Sequence, residues 1–321
     1  MEQQVAGAGV SFVVPVFNKR PWLPAVIAGL KNQRGDFPRE FIFVDDGSTD
    51  GSSECLRELT AGWSEARVIT QANAGSAAAT NAGIRAASLP FIKFCDADDV
   101  LMPGATLRLL SVLRSRNGAC LAWGDRILYR DLEDLPADLP DEPRYRKVTR
   151  VAAPIEAAMR NSLFNPSQFL VRTACAQAVG GCDERIVFSQ EYSLTLRLAH
   201  RWEFVQIEAP VAFVQGDAPG RLSGNRGRQL QRVTLALANF LRDTPDLEPR
   251  LKRFACRRAA GRAWKWRLRH HGEGPMSVWF WRNVQSQLLP PRDAVAFIET
   301  CATAFDDSGD PLPASDTAPA T

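Results

Sequence analysis

Phe41-Ile42-Phe43-Val44-Asp45-Asp46-Gly47-Ser48-Thr49-Asp50 holds the plan of this chain in one segment. Four apolar β-formers in a row, with no polar alternation, mark a strand covered on both faces. The run stops at two carboxylates. Gly47 and Ser48 supply turn chemistry, and Asp50 is placed to cap a helix carrying Cys55, Leu56 and Leu59. Strand, polar exit, helix: the same order recurs on either side. Upstream, Val10 to Val16 runs out at Asn18, after which Trp22, Val26, Ile27 and Leu30 recur at helical spacing. Downstream, Val68-Ile69 leads to Asn73 and an Ala-rich helix over 75–87. Phe91 to Cys95 ends at Asp96, with Pro103 near the start of the next helix, and Leu121-Ala122-Trp123 is a fifth strand. This alternation predicts an α/β fold with a mostly parallel, right-handed central sheet flanked by helices.

Beyond Trp123 the signal loosens. Residues 131–150, rich in Pro, Asp and Glu, read as an excursion. Regular patterning returns at 155–159, at Phe169-Leu170-Val171 and in a helix over 191–200. A Gly-containing loop spans 216–227, residues 228–304 are largely helical, and 306–321 have almost nothing to pack, which predicts a disordered tail.

The 321 residues suffice for one large domain and a smaller appendage, and a composition of 45% apolar and 23% charged residues is ordinary for a globular protein. A formal charge of +3 gives no global demand for nucleic acid, and none is expected as a partner. No apolar run approaches the ~20 residues of a membrane span. The first nine residues lack the pattern of a secretory signal, and seven cysteines without metal-type spacing read as reduced thiols, so a cytoplasmic protein is expected.

In an open α/β sheet, ligands bind beyond the carboxyl ends of the strands. Polar residues gather at those ends here: Asn18, then Asp45 and Asp46, then Asn73, then Asp96, Asp98 and Asp99. Carboxylates as close as Asp96-Ala97-Asp98-Asp99 repel one another and favour a counter-cation. Oxygen ligands suit a hard ion, Mg²⁺ or Mn²⁺, that shares its shell with phosphates. An acidic turn that merely caps the following helix is the competing reading of the same residues. Asn73-Ala74-Gly75 and Asn81-Ala82-Gly83 put amides and small residues where backbone must approach either a ligand or a strand.

Taken together, these motifs resemble the inverting glycosyltransferases of family two, which have the GT-A fold. Pro15-Val16-Phe17-Asn18 is similar to the family's first-strand signature and Phe43 to Asp50 to its second. Asn73-x-Gly75-x-x-x-Ala79-x-Asn81-x-Gly83 follows the third, and Asp96-Ala97-Asp98-Asp99 the D-x-D metal motif. The resemblance implies a GT-A catalytic domain over 1–225, with a donor half at about 10–125 and an acceptor half at about 150–225. A helical basic region (226–305) and the tail follow. It implies a nucleotide-diphospho-sugar donor, UDP-linked by family tendency, held by Pro15, Phe17, Asn18, Asp46, Asn73, Gly75, Asn81, Lys93 and Asp96. Asp46 would accept an N–H of the base, and Asp98, with Asp96 and Asp99, would hold Mn²⁺ or Mg²⁺. The catalytic base it implies is Glu191, and the acceptor is a hydroxyl of a glycan or lipid-linked oligosaccharide. The chain departs from the family pattern at Thr80, where Arg is usual, and at Gln190, where an acid is usual. Asp217 and Arg221 stand in the late loop where His is frequent. These departures motivate a second reading, a non-catalytic GT-A-like module that binds a glycan or a partner. A nucleotidyltransferase, which would need a Gly-rich loop with Lys after the first strand, is disfavoured by Pro15 to Arg20.

Between Arg250 and Arg282, Arg and Lys interleave with Trp264, Trp266, Trp279 and Trp281. Such a stretch can lie on an anionic membrane, as peripheral contact at an inner leaflet requires, or can be an appendage whose Trp residues pack inward.

Overall fold

The computed structural model describes residues 8–136, 138–139, 147–186, 190–216 and 225–305. In chain order the strands and helices are β1 (Val10–Val16), α1 (Leu23–Lys31), β2 (Arg39–Asp45), α2 (Ser52–Thr60), β3 (Ala66–Thr70), α3 (Ser76–Ala86), β4 (Phe91–Phe94), β5 (Val100–Leu101), α4 (Ala105–Arg114) and β6 (Ala119–Tyr129). They continue as β7 (Val148–Val151), α5 (Ile155–Arg160), β8 (Phe169–Arg172), α6 (Thr173–Ala178), α7 (Gln190–Arg201), β9 (Glu203–Gln215), α8 (Arg226–Asp243), α9 (Pro249–His271), α10 (Val278–Leu288) and α11 (Ala294–Ala302). Packing divides the chain into two compact units. One is Met1–Pro154 with Phe164–Cys182 and Leu198–Arg221; the other is Ile155–Leu163, Asp183–Arg197 and Leu222–Thr321. The expected linear boundary at 225 therefore does not describe the packing, because two short segments upstream of it belong to the second unit. The tail expected at 306–321 lies outside the described residues.

The first unit is built on one sheet in the order β3-β2-β1-β4-β8-β6-β9-β5, with β7 also paired to β9. β1 is parallel to β2 and β4, β2 to β3, and β6 to β9. β8 runs antiparallel between β4 and β6, and β5 and β7 run antiparallel on β9. The expected mostly parallel α/β sheet is present, and its parallel half carries the four polar exits. Three strands lie where the pattern gave none. β5 is only two residues long. β7 overlaps the end of the stretch read as an excursion, and β9 is broken in hydropathy by Glu203, Gln206, Glu208 and Pro210. Alternating signal was absent there because tertiary pairing, not propensity, makes these strands.

Local chemistry explains the layers. Val10, Phe12, Val14 and Val16 are buried on one face of β1, and Ser11 and Val13 on the other, as a doubly covered strand requires. α1 buries Leu23, Val26, Ile27 and Leu30, a single apolar stripe at helical spacing. α3 approaches β1 so closely that a Cβ at Gly83 would stand 2.2 Å from Val13 Cγ1, so that position excludes any side chain. Aromatic rings fill the middle: Phe12 stacks on Phe41 at 4.8 Å, and Phe164, Phe169, Trp123 and Phe204 form a second group. Each such ring removed from water contributes roughly 1.5–3 kcal/mol.

In the second unit α5 packs on α9. Arg258 Nε donates to Arg160 O at 2.7 Å and Arg262 Nη2 to the same oxygen at 2.8 Å, completing the open carbonyl at the C-terminus of α5. Tyr192, near the start of α7, is buried with its hydroxyl donating to Met159 O. Asp183 accepts from Arg185 Nε at 2.7 Å and Asn239 Nδ2 at 2.9 Å, which joins the segment before α7 to α8.

Candidate active site

Backbone conformation at the end of β1 decides where its polar residues go. Asn18 takes φ 52°, a left-handed geometry that Asn tolerates better than most residues, so the chain turns sharply before α1. In that turn Asn18 N–H donates to Ser48 Oγ at 3.0 Å, and Asn18 Oδ1 accepts from Thr49 N–H at 2.8 Å. Lys19 N–H donates to Ser52 Oγ at 2.9 Å. The exits of β1 and β2 are thereby stitched together. Lys19 Nζ reaches the other way and meets Asp98 Oδ2 at 2.5 Å, which joins the β1 exit to the acidic turn after β4.

Asp46 performs the same service toward β3. Its Oδ1 accepts from Gln71 Nε2 at 2.8 Å and from Ala74 N–H at 2.9 Å, and its Oδ2 accepts from Gly75 N–H at 2.9 Å. A carboxylate has about four acceptor directions, so this buried group keeps roughly one for anything else. Gly47 makes the approach possible: at φ 74° it adopts a conformation that other residues resist, and a Cβ there would lie 2.9 Å from Asn73 N. Asn73 itself is exposed at the rim, beside Gly75. Asp45 is turned into α2, accepting from Ser48 N–H at 3.2 Å and Ser53 Oγ at 2.5 Å.

The acidic turn sorts its three carboxylates. Asp99 is buried and its Oδ1 accepts from Gln215 N–H at 3.0 Å, which anchors the turn to β9. Asp96 is half-buried, with its N–H held by Ser167 Oγ at 2.9 Å. Asp98 is half-buried, paired to Lys19, and its carbonyl accepts from the Tyr129 hydroxyl. Burial and the neighbouring Asp99 and Asp98 hold that phenol above its ordinary pKa, so it remains a donor. Among the described residues no group of three or more His, Cys, Asp or Glu is arranged to hold a metal. A preformed protein cage is thus absent from that part of the chain. Asp96 and Asp98 do fit a hard cation that takes one or two carboxylates and completes its shell with phosphate oxygens and water.

Two residues expected at the donor are placed otherwise. Asn81, on α3, is buried with both ends of its amide engaged: Nδ2 donates to Cys182 O at 3.0 Å and Oδ1 accepts from Cys182 N–H at 2.7 Å. It clamps the turn at 181–182. Lys93, on β4, is fully buried, its Nζ donating to Phe94 O at 3.0 Å and Ser167 O at 2.6 Å. Desolvation pulls its pKa down to about 8 against the opposing pull of Cys95, Asp99 and Asp96. It lies under the acidic turn as a structural cation. Thr80, where a cation was missed, is also buried.

Pro15 and Phe17 stay at the β1 exit, Phe17 with its ring exposed. Glu191 belongs to the second unit, in the first turn of α7. Burial pushes its pKa up to about 7, opposed only by its own N–H. Asp217 and Arg221 lie outside the described residues, and nothing of the Gln190 side chain is described. The side chain at these strand ends that the sequence did not single out is Lys19, the partner of Asp98. The only signal for it was its place directly after Asn18, and a lone lysine in a turn is ordinarily solvated.

Residues 11–177, just over half of the chain, match the pattern of Glycosyl transferase family 2. Among curated relatives, the uncharacterized glycosyltransferase EpsJ of Bacillus subtilis is 38% identical over 101 residues, covering 31% of this chain and 29% of its own length. The chondroitin synthase of Pasteurella multocida is 26% identical over 196 residues, 61% of this chain and 19% of that protein. The matched part thus spans less than a third of either relative. Among solved structures, S. aureus TarS 1-349 aligns with a TM-score of 0.60 at 13% identity, covering 92% of this chain and 88% of that one. The mannosyltransferase PcManGT from Pyrobaculum calidifontis, in complex with GDP-Man and Mn²⁺, aligns at 0.53 with 16% identity, covering 92% and 85%. At such identities the likeness is one of fold, the GT-A type. Because the family's pattern runs from β1 into α6 and takes in every strand exit that the turn at Asn18 and the carboxylate of Asp46 bind together, the chain belongs to Glycosyl transferase family 2.

Proposed function

We propose that this chain transfers a sugar, with inversion, from a nucleotide-diphospho-sugar to a hydroxyl of a glycan or lipid-linked acceptor. The observation that carries the reading is the hydrogen-bonded joining of the carboxyl ends of β3, β2, β1 and β4 through Asp46, Asn18 and Lys19. Such an edge, rich in backbone N–H groups and carboxylates, is where an α/β sheet receives a nucleotide.

In this reading Pro15 and the exposed ring of Phe17 flank the base, and Asp46 offers it the one acceptor direction left over from the 71–75 loop. Asn18, Asn73 and Gly75 border the ribose and phosphates. Asp96 and Asp98 would hold Mn²⁺ or Mg²⁺, which supplies charge neutralisation to a departing diphosphate. Lys19, released from Asp98, brings its ammonium to the same phosphates and replaces the cation missing at Thr80. Glu191 takes the proton from the acceptor hydroxyl. A carboxyl with a pKa of about 7 is a stronger base than an ordinary glutamate and is still ionised in part at neutral pH. UDP is the favoured nucleotide, since S. aureus TarS 1-349 has been solved with UDP and with UDP-GlcNAc, although GDP-Man is the donor seen with PcManGT.

The test is a thermal-shift screen of nucleotide sugars with and without Mn²⁺, followed by donor hydrolysis. A true donor raises Tm by selective binding to the folded chain, more so with Mn²⁺. Binding without hydrolysis or transfer to any acceptor would favour the non-catalytic module, and no shift with any nucleotide sugar would remove the proposal.

A further inference from the structure

The basic helix α9 spends its apolar residues inside the second unit, where Leu251, Ala255, Ala259, Ala263 and Trp266 are buried. Leu268, 41% exposed, is the one large apolar side chain that α9 leaves in water, too little to make an apolar face of its own. α10 runs antiparallel along it. Arg257 Nε donates to Ser286 O at 3.2 Å, and Trp264 meets the Phe280 ring edge to face at 5.3 Å, so Ser286 and Phe280 turn toward α9. The other side of α10 faces water and carries large apolar residues around an exposed Gln285. Val278, Trp281 and Leu288 recur along one helix face and are 61%, 60% and 74% exposed, with Met276 (96%) before them and Leu289 (66%) after. Exposed apolar residues grouped in this way mark an interaction surface rather than ordinary scatter.

The surroundings say what kind of partner fits. From Arg250 to Arg292 the chain carries eleven Lys and Arg and one acid, Glu273, which Arg267 already engages. Lys265 and Arg269 on α9 and Arg292 after α10 are exposed. A nucleic acid would use these cations but leave Met276, Leu288 and Leu289 in water. A second copy of the chain would bring an equal density of positive charge against them. A bilayer of anionic phospholipid satisfies both features at once. Its headgroups take the cations, and its boundary region takes Trp281 and the leucines.

We propose that α10 and its flanks, residues 276–289, dock the chain on an anionic membrane surface, with the α9 cations around them. The lipid-facing element is α10, not the α9 stretch that composition alone singles out. The inference stands on the second unit and does not depend on the chemistry assigned to the first.

The full chain is floated with phosphatidylcholine vesicles prepared with and without phosphatidylglycerol. Binding is expected only with phosphatidylglycerol, weakening with added salt, and falling ~10-fold or more for Leu288→Glu combined with Leu289→Glu or for Trp281→Glu. Circular dichroism and the donor thermal shift of the same variants verify that they fold, so loss of flotation reads the surface alone. Wild-type chain that ignores phosphatidylglycerol would overturn the proposal. So would variants that float as well as wild type, or self-association in sedimentation that the same substitutions abolish. A chain that floats but answers to no nucleotide sugar would keep this proposal and remove the previous one.

Discussion

Asn81→Ala separates two roles that the same residue can hold in this fold. If the amide served the donor, its loss would weaken donor binding and leave the fold intact. The structure assigns the opposite. Both amide atoms bond the backbone of Cys182, at 3.0 and 2.7 Å, in a buried place where water cannot substitute. Truncation orphans one N–H and one C=O, at about 1–3 kcal/mol each, for a total of about 2–5 kcal/mol after partial relaxation. The adjoining turn has little freedom to adapt, since a Cβ at Gly181 would stand 2.2 Å from Asn81 Oδ1 and Gly181 itself sits at φ 71°. Urea unfolding should therefore show a lower midpoint with an unchanged slope. The donor dissociation constant, measured by calorimetry well below the melting temperature, should stay within about twofold of wild type. A variant of wild-type stability that binds donor tenfold or more weakly would refute this assignment and return Asn81 to the nucleotide.

Three further outcomes are expected. Lys19→Met should weaken donor binding by about 1–2 kcal/mol in calorimetry, since the ammonium near the phosphates is lost, while Mn²⁺ binding to the free chain strengthens as Asp98 loses its 2.5 Å partner. For Glu191, the folded pKa of about 7 lies above the usual 4.5, so the folded state keeps a proton that the unfolded chain releases. Stability then falls as pH rises from about 4.5 to 7, and Glu191→Gln should be about 1–3 kcal/mol more stable than wild type above about pH 7, with no gain below about pH 4.5. Transfer by the wild type should rise with pH through about 7 and level off, and be lost in the Gln variant. Gly47→Ala forces a side chain into φ 74° and against Asn73 N. Unfolding should report a loss of about 1–2 kcal/mol, with a raised donor KM as the 71–75 loop shifts.

The first four strands and their polar exits were readable because each combined a short apolar run with turn residues, a local signal that survives without tertiary context. β9 was not. Its thirteen residues contain five polar or Pro positions, and it exists because β6, β7 and β5 supply partners on both sides. Among site residues, motif position told which side chains gather near the strand ends but not which way each turns. Asp98 and Asp99 are adjacent in sequence, yet one meets Lys19 and the other is buried against Gln215. Asn81 and Lys93 follow the same lesson: a polar residue expected at the donor can be kept for a backbone contact 101 or 74 residues away, and spacing along the chain carries no trace of it. Lys19 shows the converse, a residue that no pattern marked and that only a cross-strand distance reveals.

The interleaving of the second unit bears on how the chain is made. Ile155–Leu163 and Asp183–Arg197 leave the ribosome well before the helices α8 and α9 that they pack with, and synthesis at roughly 5–20 residues per second puts the wait at several seconds or more. During that interval Met159, Tyr192, Leu194 and Leu196, all buried in the finished molecule, have none of those partners to cover them. A nascent chain paused after about residue 221 is thus a natural client for a holdase, and a stop codon placed there would yield not a smaller enzyme but an aggregation-prone fragment.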